Sequence, residues 1–343
     1  MTARPVAMFA ALALTCGISC ALPAAAQPAA EFYKGKQIQM IIATNAGVGY
    51  DIYARLLISH MGKHIPGNPT FVPRNMIGAG GLRAADFVYR VAPKDGLTIG
   101  TIGRGLPFEP MLGQNELNID PLRFHWLGSM NRETAVALSW HTSKIKTVAD
   151  LRANELLTPG TGAGADSEIM PLAFNNLTGT KFKIVKGYKG TSEGAIAMER
   201  GELDGIAYWS LGSLTSLHRH WLDDRKINVL FHTGATAHPD LPGAPAIRDL
   251  TPAGADREAL EFVLAREALG RPFFASPDLP ADRAAALRNA FEATMNDPDL
   301  IQEAAKRRIE IGLVTGAEVE ELLRRSAASS PATIARVKAA LGR

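Results

Sequence analysis

Cysteine is almost missing from this chain. Its two cysteines, Cys16 and Cys20, both fall within the first 26 of 343 residues. Past that point there is no thiol, which excludes a disulfide scaffold, a zinc–cysteine centre, an iron–sulfur cluster and a cysteine nucleophile. An excess of charge is also missing. Lys plus Arg is 37 and Asp plus Glu is 34, a net charge of +3, with no clustered basic stripe. That balance gives no footprint for nucleic acid. There is no P-loop lysine, and residues 47–52 (GVGYDI) begin like a dinucleotide fingerprint but lack its third glycine. His218-x-His220 has metal-like spacing without an identifiable third ligand. No cofactor and no metal are therefore expected. The 32 glycines and 21 prolines are scattered, so they mark turns rather than a low-complexity tract, and no internal repeat is visible.

What is present is the composition of a folded soluble protein, 46% hydrophobic and 21% charged, long enough for two domains. Residues 1–26 read as a secretory signal peptide. Arg4 is the basic start, residues 6–14 (VAMFAALAL) the apolar run, and Ala24-Ala25-Ala26 the cleavage site before Gln27. The apolar run is too short to anchor in a bilayer. Lipid attachment at Cys20 fits less well, because Gly17-Ile18-Ser19 lacks the leucine such sites carry. Cleavage after Ala26 and a periplasmic location are expected.

The remainder alternates strands and helices. Residues 37–44 (QIQMIIAT) are a β-branched apolar run, followed by a glycine-rich turn at 45–49 and a helical pattern opened by Asp51. A short strand at 70–72 leads into 75–81 (NMIGAGG) and a second helix with Leu82, Ala85 and Tyr89 on one face. A further strand covers 97–102. This βαβαβ order implies a parallel sheet flanked by helices. A new segment starts around 136–140. It carries Leu156 and Leu157, the turn 158–165 (TPGTGAGA), a helix with Met170, Phe174 and Leu177, and strands at 183–185, 205–209 and 228–232. After Pro280 helical stripes dominate. At least three strands thus end in glycine-rich turns that enter helices. Ligands bind at the carboxyl ends of parallel strands, and exposed N–H groups at helix starts suit an anion. Several such turns facing one another would line a cleft suited to a carboxylate.

The ordered set of motifs resembles a known family. Residues 45–55 (NAGVGYDIYAR) look like the glycine-rich Asp-x-x-Ala-Arg motif of Bug-type, TctC-like receptors, the extracytoplasmic solute-binding proteins of tripartite tricarboxylate transporters. Residues 75–81 are similar to their Asn-x-x-Gly-Ala-Gly-Gly motif, and 92–101 to their Pro-Asp-Gly-Tyr-Thr strand. Residues 161–165 stand where the family has Ser-Gly-x-Gly-Ser, while 186–190 and 201–204 match its Tyr-Lys-Gly and Gly-x-Val-Asp elements. The resemblance covers nearly all of the chain after residue 26.

The resemblance implies an α/β, two-domain periplasmic-binding-protein fold of type II, with parallel-rich sheets flanked by helices and a ligand cleft between domains. Domain 1 is expected over 31–136 and 234–343 and domain 2 over 137–233, with hinge closure on the ligand. By position it places Asn45, Gly47, Val48, Gly49 and Tyr50 with Gly78, Ala79 and Gly80 around one carboxylate. Thr161, Gly162, Ala163 and Gly164 then hold the other end, and Asp204 takes a cleft-edge role. The implied ligand is a small organic acid, whether di- or tricarboxylate or aromatic, and the implied partner is a pair of membrane permease subunits. A monomer is expected. Departures from the pattern are Ala46 for the usual proline, Val48 within the glycine run, Tyr50 where small residues are common, Ala165 for a second hydroxyl and Glu168 for the usual histidine.

Three residues carry two readings each. Arg104, after the third strand, either grips a carboxylate in a bidentate fork or is a solvated surface arginine. Trp209 either stacks on a ligand or belongs to the core. Lys189 either faces the cleft rim or is solvated. Other functions fit some of the same residues. A receptor feeding a sensor kinase shares every feature above. A hydrolase would use Ser192 of Gly190-Thr191-Ser192-Glu193-Gly194 as nucleophile with His232 or His238, whereas Ser192 also reads simply as a helix-start residue.

Overall fold

The computed structural model describes residues 28–343 apart from Glu116, Ala163, Gly164 and Ala235. The expected leader, and the expected site residues Ala163 and Gly164, lie outside the described residues.

The first lobe is a six-stranded sheet in the order β11-β4-β10-β3-β1-β2. Here β1 is Gln37–Ile42, β2 Thr70–Asn75, β3 Thr98–Thr101, β4 His125–Ser129, β10 Pro272–Ala275 and β11 Val314–Thr315. β1 is a central parallel strand, so both of its faces must be apolar. Ile38, Met40 and Ile42 pack against Leu56 and Leu57 of the helix Gly49–Met61. On the opposite face Ile41 meets Ala85 of Leu82–Asp86 and Val88 of the π turn that extends it. Register then fixes where function can sit. Ile42 lies opposite Asn75 of β2 and opposite Thr101 of β3. All three strands therefore end at one level, and their following loops emerge side by side.

The second lobe holds a three-stranded antiparallel sheet, β8-β5-β9, and a parallel pair, β6-β7. β5 is Ala135–Trp140, β6 Leu156–Gly160, β7 Phe182–Lys186, β8 Gly205–Ser210 and β9 Ile227–His232. β6 runs beside β8 without a regular ladder. Pro159 has no N–H to donate on that side. Side chains substitute: Asp204 Oδ2 accepts from Leu157 N–H at 3.0 Å, and Thr158 Oγ1 accepts from Ala207 N–H at 2.8 Å. Phe174 of the helix Asp166–Thr178 packs edge-on against Phe231 of β9, ring centroids 5.1 Å apart, in the core beneath.

The two lobes are joined by two neighbouring crossings, 130–134 and 265–271. Met130 N–H donates to Arg271 O at 3.0 Å and Glu133 N–H to Glu267 O at 2.7 Å. The first crossing lies just before the expected boundary at 136. The second is about thirty residues later than the expected boundary at 233. The reason is that the chain folds back on β9 instead of leaving: Ile247 N–H donates to His232 O and His232 N–H to Pro245 O, both at 2.9 Å. The helix Ala255–Leu264 then packs on Asp166–Thr178. The C-terminal helix Pro331–Ala340 joins them, with Asn176 Nδ2 donating to Ala340 O at 2.9 Å, so residues 234–343 do not all return to the first lobe. The antiparallel strands β4, β10 and β11 extend the sheet beyond the parallel half that the sequence pattern implied.

Candidate functional site

The loops after β1, β2 and β3 face the second lobe across a cleft of two adjoining cavities, about 870 and 810 Å3 in volume. Val48, Tyr50, Arg104, Thr161, Ala165 and Asp166 line both.

The wall supplied by the first lobe is main chain. Asp51, in the first turn of the helix Gly49–Met61, is buried and organises it. Its Oδ2 accepts from Gly47 N–H at 2.8 Å and from Arg55 Nε at 2.8 Å, and its Oδ1 accepts from Asn75 Nδ2 at 2.9 Å. Asn75 Nδ2 also donates to Thr44 O at 2.8 Å, which ties the first loop to the end of β2. Burial raises the pKa of Asp51, but these donors more than offset it and hold the carboxyl below its ordinary value. No side chain caps the helix that starts at Gly49. The neighbouring loop is more unusual. Gly78, Ala79, Gly80 and Gly81 all have positive φ, at 136°, 47°, 62° and 100°. Ala79 lacks glycine's freedom there, a cost of about 1–2 kcal/mol. The fold holds it in place through Gly81 N–H to Gly78 O at 3.0 Å. Among the described residues the N–H groups of Ala79 and Gly80 have no acceptor in the chain. They and the uncapped helix start are the donors this wall offers an anion.

The second lobe answers with the turn after β6. Thr161 lies in both cavities and Gly162 in the first, but their N–H groups are already engaged. Thr161 N–H donates to Ser167 Oγ at 3.1 Å and Gly162 N–H to Glu168 Oε1 at 3.0 Å. Gly190, Thr191 and Ser192 line the second cavity at the uncapped start of the helix Thr191–Glu199.

The floor is a network of charge at the crossings, in which Arg104 Nε, Glu267 Oε2 and Arg271 Nε are buried without a partner among the described residues. Arg104, Glu133, Arg266, Glu267 and Arg271 are each at most 7% exposed. Arg104 Nη2 donates to Asp166 Oδ2 at 3.0 Å and to Tyr208 Oη at 2.8 Å, and its Nη1 lies 3.2 Å from Glu133 Oε2. Arg266 Nη1 reaches Asp166 Oδ1 at 3.3 Å. Arg271 Nη1 donates to Glu133 Oε2 at 3.0 Å, and its guanidinium carbon sits 4.8 Å from the ring centroids of both Tyr50 and Tyr53. Ser210 Oγ donates to Glu133 Oε1 at 2.8 Å. Burial pushes Glu267, which accepts from Tyr208 Oη, up to about 7. Burial also acts on Asp166, but Arg104 and Arg266 outweigh it and hold that carboxyl below its ordinary value.

The expected site residues divide accordingly. Asn45, Val48, Tyr50, Gly78, Ala79, Gly80, Arg104, Thr161 and Gly162 line the first cavity, and Gly47, Gly49 and Trp209 the second. Gly47 gives its N–H to Asp51. Arg104 is neither a free fork nor a surface residue: it is buried, with carboxylates already in place, and its own N–H donates to Tyr50 Oη at 3.0 Å. Trp209 is a core aromatic, 4% exposed and packed against Trp221, with an edge on the second cavity. Asp204 lines neither cavity. It precedes β8, whose opposite end at Ser210 reaches the cleft, about 20 Å away at strand rise. Lys189 is exposed and lines neither cavity. Ser192 is the second residue of a regular helix and makes no hydrogen bond to a histidine; the adjoining Glu193 carboxylate accepts from Lys189 N–H at 2.6 Å. His218 stacks on Trp221, centroids 4.1 Å apart, and among the described residues no three His, Cys, Asp or Glu groups form a metal cluster.

Sequence reasoning missed Glu133, Asp166, Tyr208, Arg266, Glu267 and Arg271. The available signal was charge set against apolar neighbours, as in Arg271 before the strand Pro272–Ala275.

Comparison with known proteins adds the fold. No protein-family model matches the sequence, and no curated protein matches it. Solved structures do. A TctC solute-binding protein from Polaromonas aligns with a TM-score of 0.67 at 17% identity, covering 86% of this chain and 96% of that one. The periplasmic binding protein BugD gives 0.66 at 18%, covering 90% and 98%. An R. palustris protein with adipate gives 0.65 at 19%, covering 90% and 97%. The chain has the fold of these solute-binding proteins. That fold is the two-lobed α/β architecture expected from the ordered motifs.

Proposed function

We propose that this chain is an extracytoplasmic solute-binding protein that captures a small organic carboxylate between its lobes. The observation that carries the reading is the first-lobe wall. Unpartnered amides at Ala79 and Gly80 line the cavity of about 870 Å3, and the uncapped helix start at Gly49 lines the adjoining one. That volume lies within the range of ligand pockets, and main-chain donors at a helix start suit an anion. The fold shared with an adipate-bound protein supports a carboxylate, and the leader-like residues 1–26 support export to the periplasm. On this reading the ligand contacts both lobes, stabilises the closed form, and the closed form docks as a monomer on membrane permease subunits. No catalysis is involved.

The test is a thermal-shift screen of residues 27–343 against a panel of organic acids, with calorimetry on each hit. A ligand that binds only the folded state raises the melting temperature with its occupancy. A shift confined to carboxylates supports the reading. Absence of a shift with every acid, repeated after unfolding and refolding to remove any carried-over ligand, would overturn it.

A further inference from the structure

The cavity that holds the unpartnered amides has a second charged feature, and it belongs to the protein. Asp166 projects from the second lobe onto two guanidiniums of the cleft floor, Arg104 at 3.0 Å and Arg266 at 3.3 Å. Both arginines are buried, whereas the Asp166 side chain keeps 31% of its surface and lines both cavities. The remaining arginine on the first cavity, Arg343, is 2.7 Å from Glu109. Every cation that lines this cavity is thus already matched by a carboxylate of the chain. Much of the remaining surface is apolar, beside Thr44, Asn45, Gln114 and Thr161: Val48 and Ile77 are exposed at 45% and 52%, and Leu106 and Ile169 also line the cavity.

We propose that Asp166 is a specificity residue that takes the place of a ligand's second carboxylate, so that the first cavity selects acids with a single carboxylate and an uncharged, apolar body. This rests on the carboxylate-receptor reading and narrows it. The argument is one of charge. A ligand's first carboxylate meets the amides of Ala79 and Gly80. A second carboxylate at the far end would have to approach Arg104 and Arg266 alongside Asp166, a like charge at a partly dehydrated site, and would gain no unpaired cation in return. An apolar end pays no such penalty against Val48, Ile77 and Ile169. Asp166 is not replaceable by hydration, because Arg266 would be left as buried, uncompensated charge and Arg104 would have only Glu133, which it shares with Arg271.

The test compares matched acids on the full chain after residue 26. Hexanoate is set against adipate, and benzoate against terephthalate, by calorimetry at pH 7.5 on the wild-type protein and on Asp166→Asn. The wild type is expected to bind each monoacid about tenfold or more tightly than its diacid partner. In Asp166→Asn Arg266 loses its carboxylate and Arg104 keeps only Glu133, and the ratio is expected to move at least about tenfold toward the diacid. Equal binding of monoacid and diacid by the wild type overturns the proposal while leaving the carboxylate reading intact. So does an unchanged ratio in a folded Asp166→Asn. Failure of the folded wild type to bind any of these or any other organic acid overturns the carboxylate reading itself, and this proposal with it. If Asp166→Asn does not fold, Asp166→Ser serves in its place, and the wild-type ratio stands as a test without any variant.

Discussion

The wall and the floor of this cleft are built on opposite principles. The wall, from the loops after β1 and β2, is main chain: amides set by four successive positive φ values and anchored by Asp51. The floor, at the two crossings, is side chain: three arginines matched against Glu133 and Asp166, with Glu267 buried beside them on Tyr208. Fixed amides have no counter-ion of their own, so an anion that arrives meets unused donors. A guanidinium already paired with a carboxylate has little left to give. On the proposed reading the wall binds the anion while the floor positions and selects.

The floor is where the largest effect is expected. Glu133 is shared by Arg104, Arg271 and Ser210. Glu133→Ala leaves Arg271 without a carboxylate and Arg104 with Asp166 alone, and should cost about 3–5 kcal/mol in urea unfolding. A loss below about 1 kcal/mol would mean that the network is not held as described.

Next comes pH. The folded state keeps the Glu267 proton up to about pH 7, whereas the unfolded chain releases it near its ordinary value of 4.5. Across that window the folded state binds more protons, so this group's contribution makes stability fall as pH rises, by up to about 3 kcal/mol. Glu267→Gln cannot titrate, and its unfolding free energy should lack that slope relative to the wild type. Parallel pH profiles for the two proteins would contradict the burial of this carboxyl.

The smallest stability effect and the most specific binding effect belong to the wall. Gly80 has φ 62°, and a Cβ there meets nothing of the protein within 4 Å. Gly80→Ala should cost about 1–2 kcal/mol through its backbone alone. It should also weaken acid binding about tenfold or more, because the methyl group enters the space beside the donor amides. Full affinity in that variant would remove this loop from the site.

The same contrast explains what could be read in advance. The wall is local. Its glycines, its helix start and the strands that precede it are each contiguous in sequence, so the motifs at 45–51 and 75–81 identify it directly. The floor is assembled from residues 104, 133, 166, 208, 266, 267 and 271, no more than two of them adjacent, and no spacing rule joins them. Arg104 stands out only because it follows a strand, and its partners decide what it does. Asp204 shows the converse error: a motif position without a location, six residues from the end of β8 that reaches the cleft. The late second crossing was hidden for a related reason. Residues 244–247 add to β9 through irregular backbone, with no apolar alternation to announce it.

The most direct test of the central claim is a titration of the isotopically labelled protein with hexanoate, followed through its backbone amide resonances. Saturable shifts in the N–H signals of Ala79, Gly80 and the first turn of the helix Gly49–Met61, with slowed exchange at Ala79 and Gly80, are the predicted result. Binding that leaves those amides unmoved while shifting resonances elsewhere would contradict it.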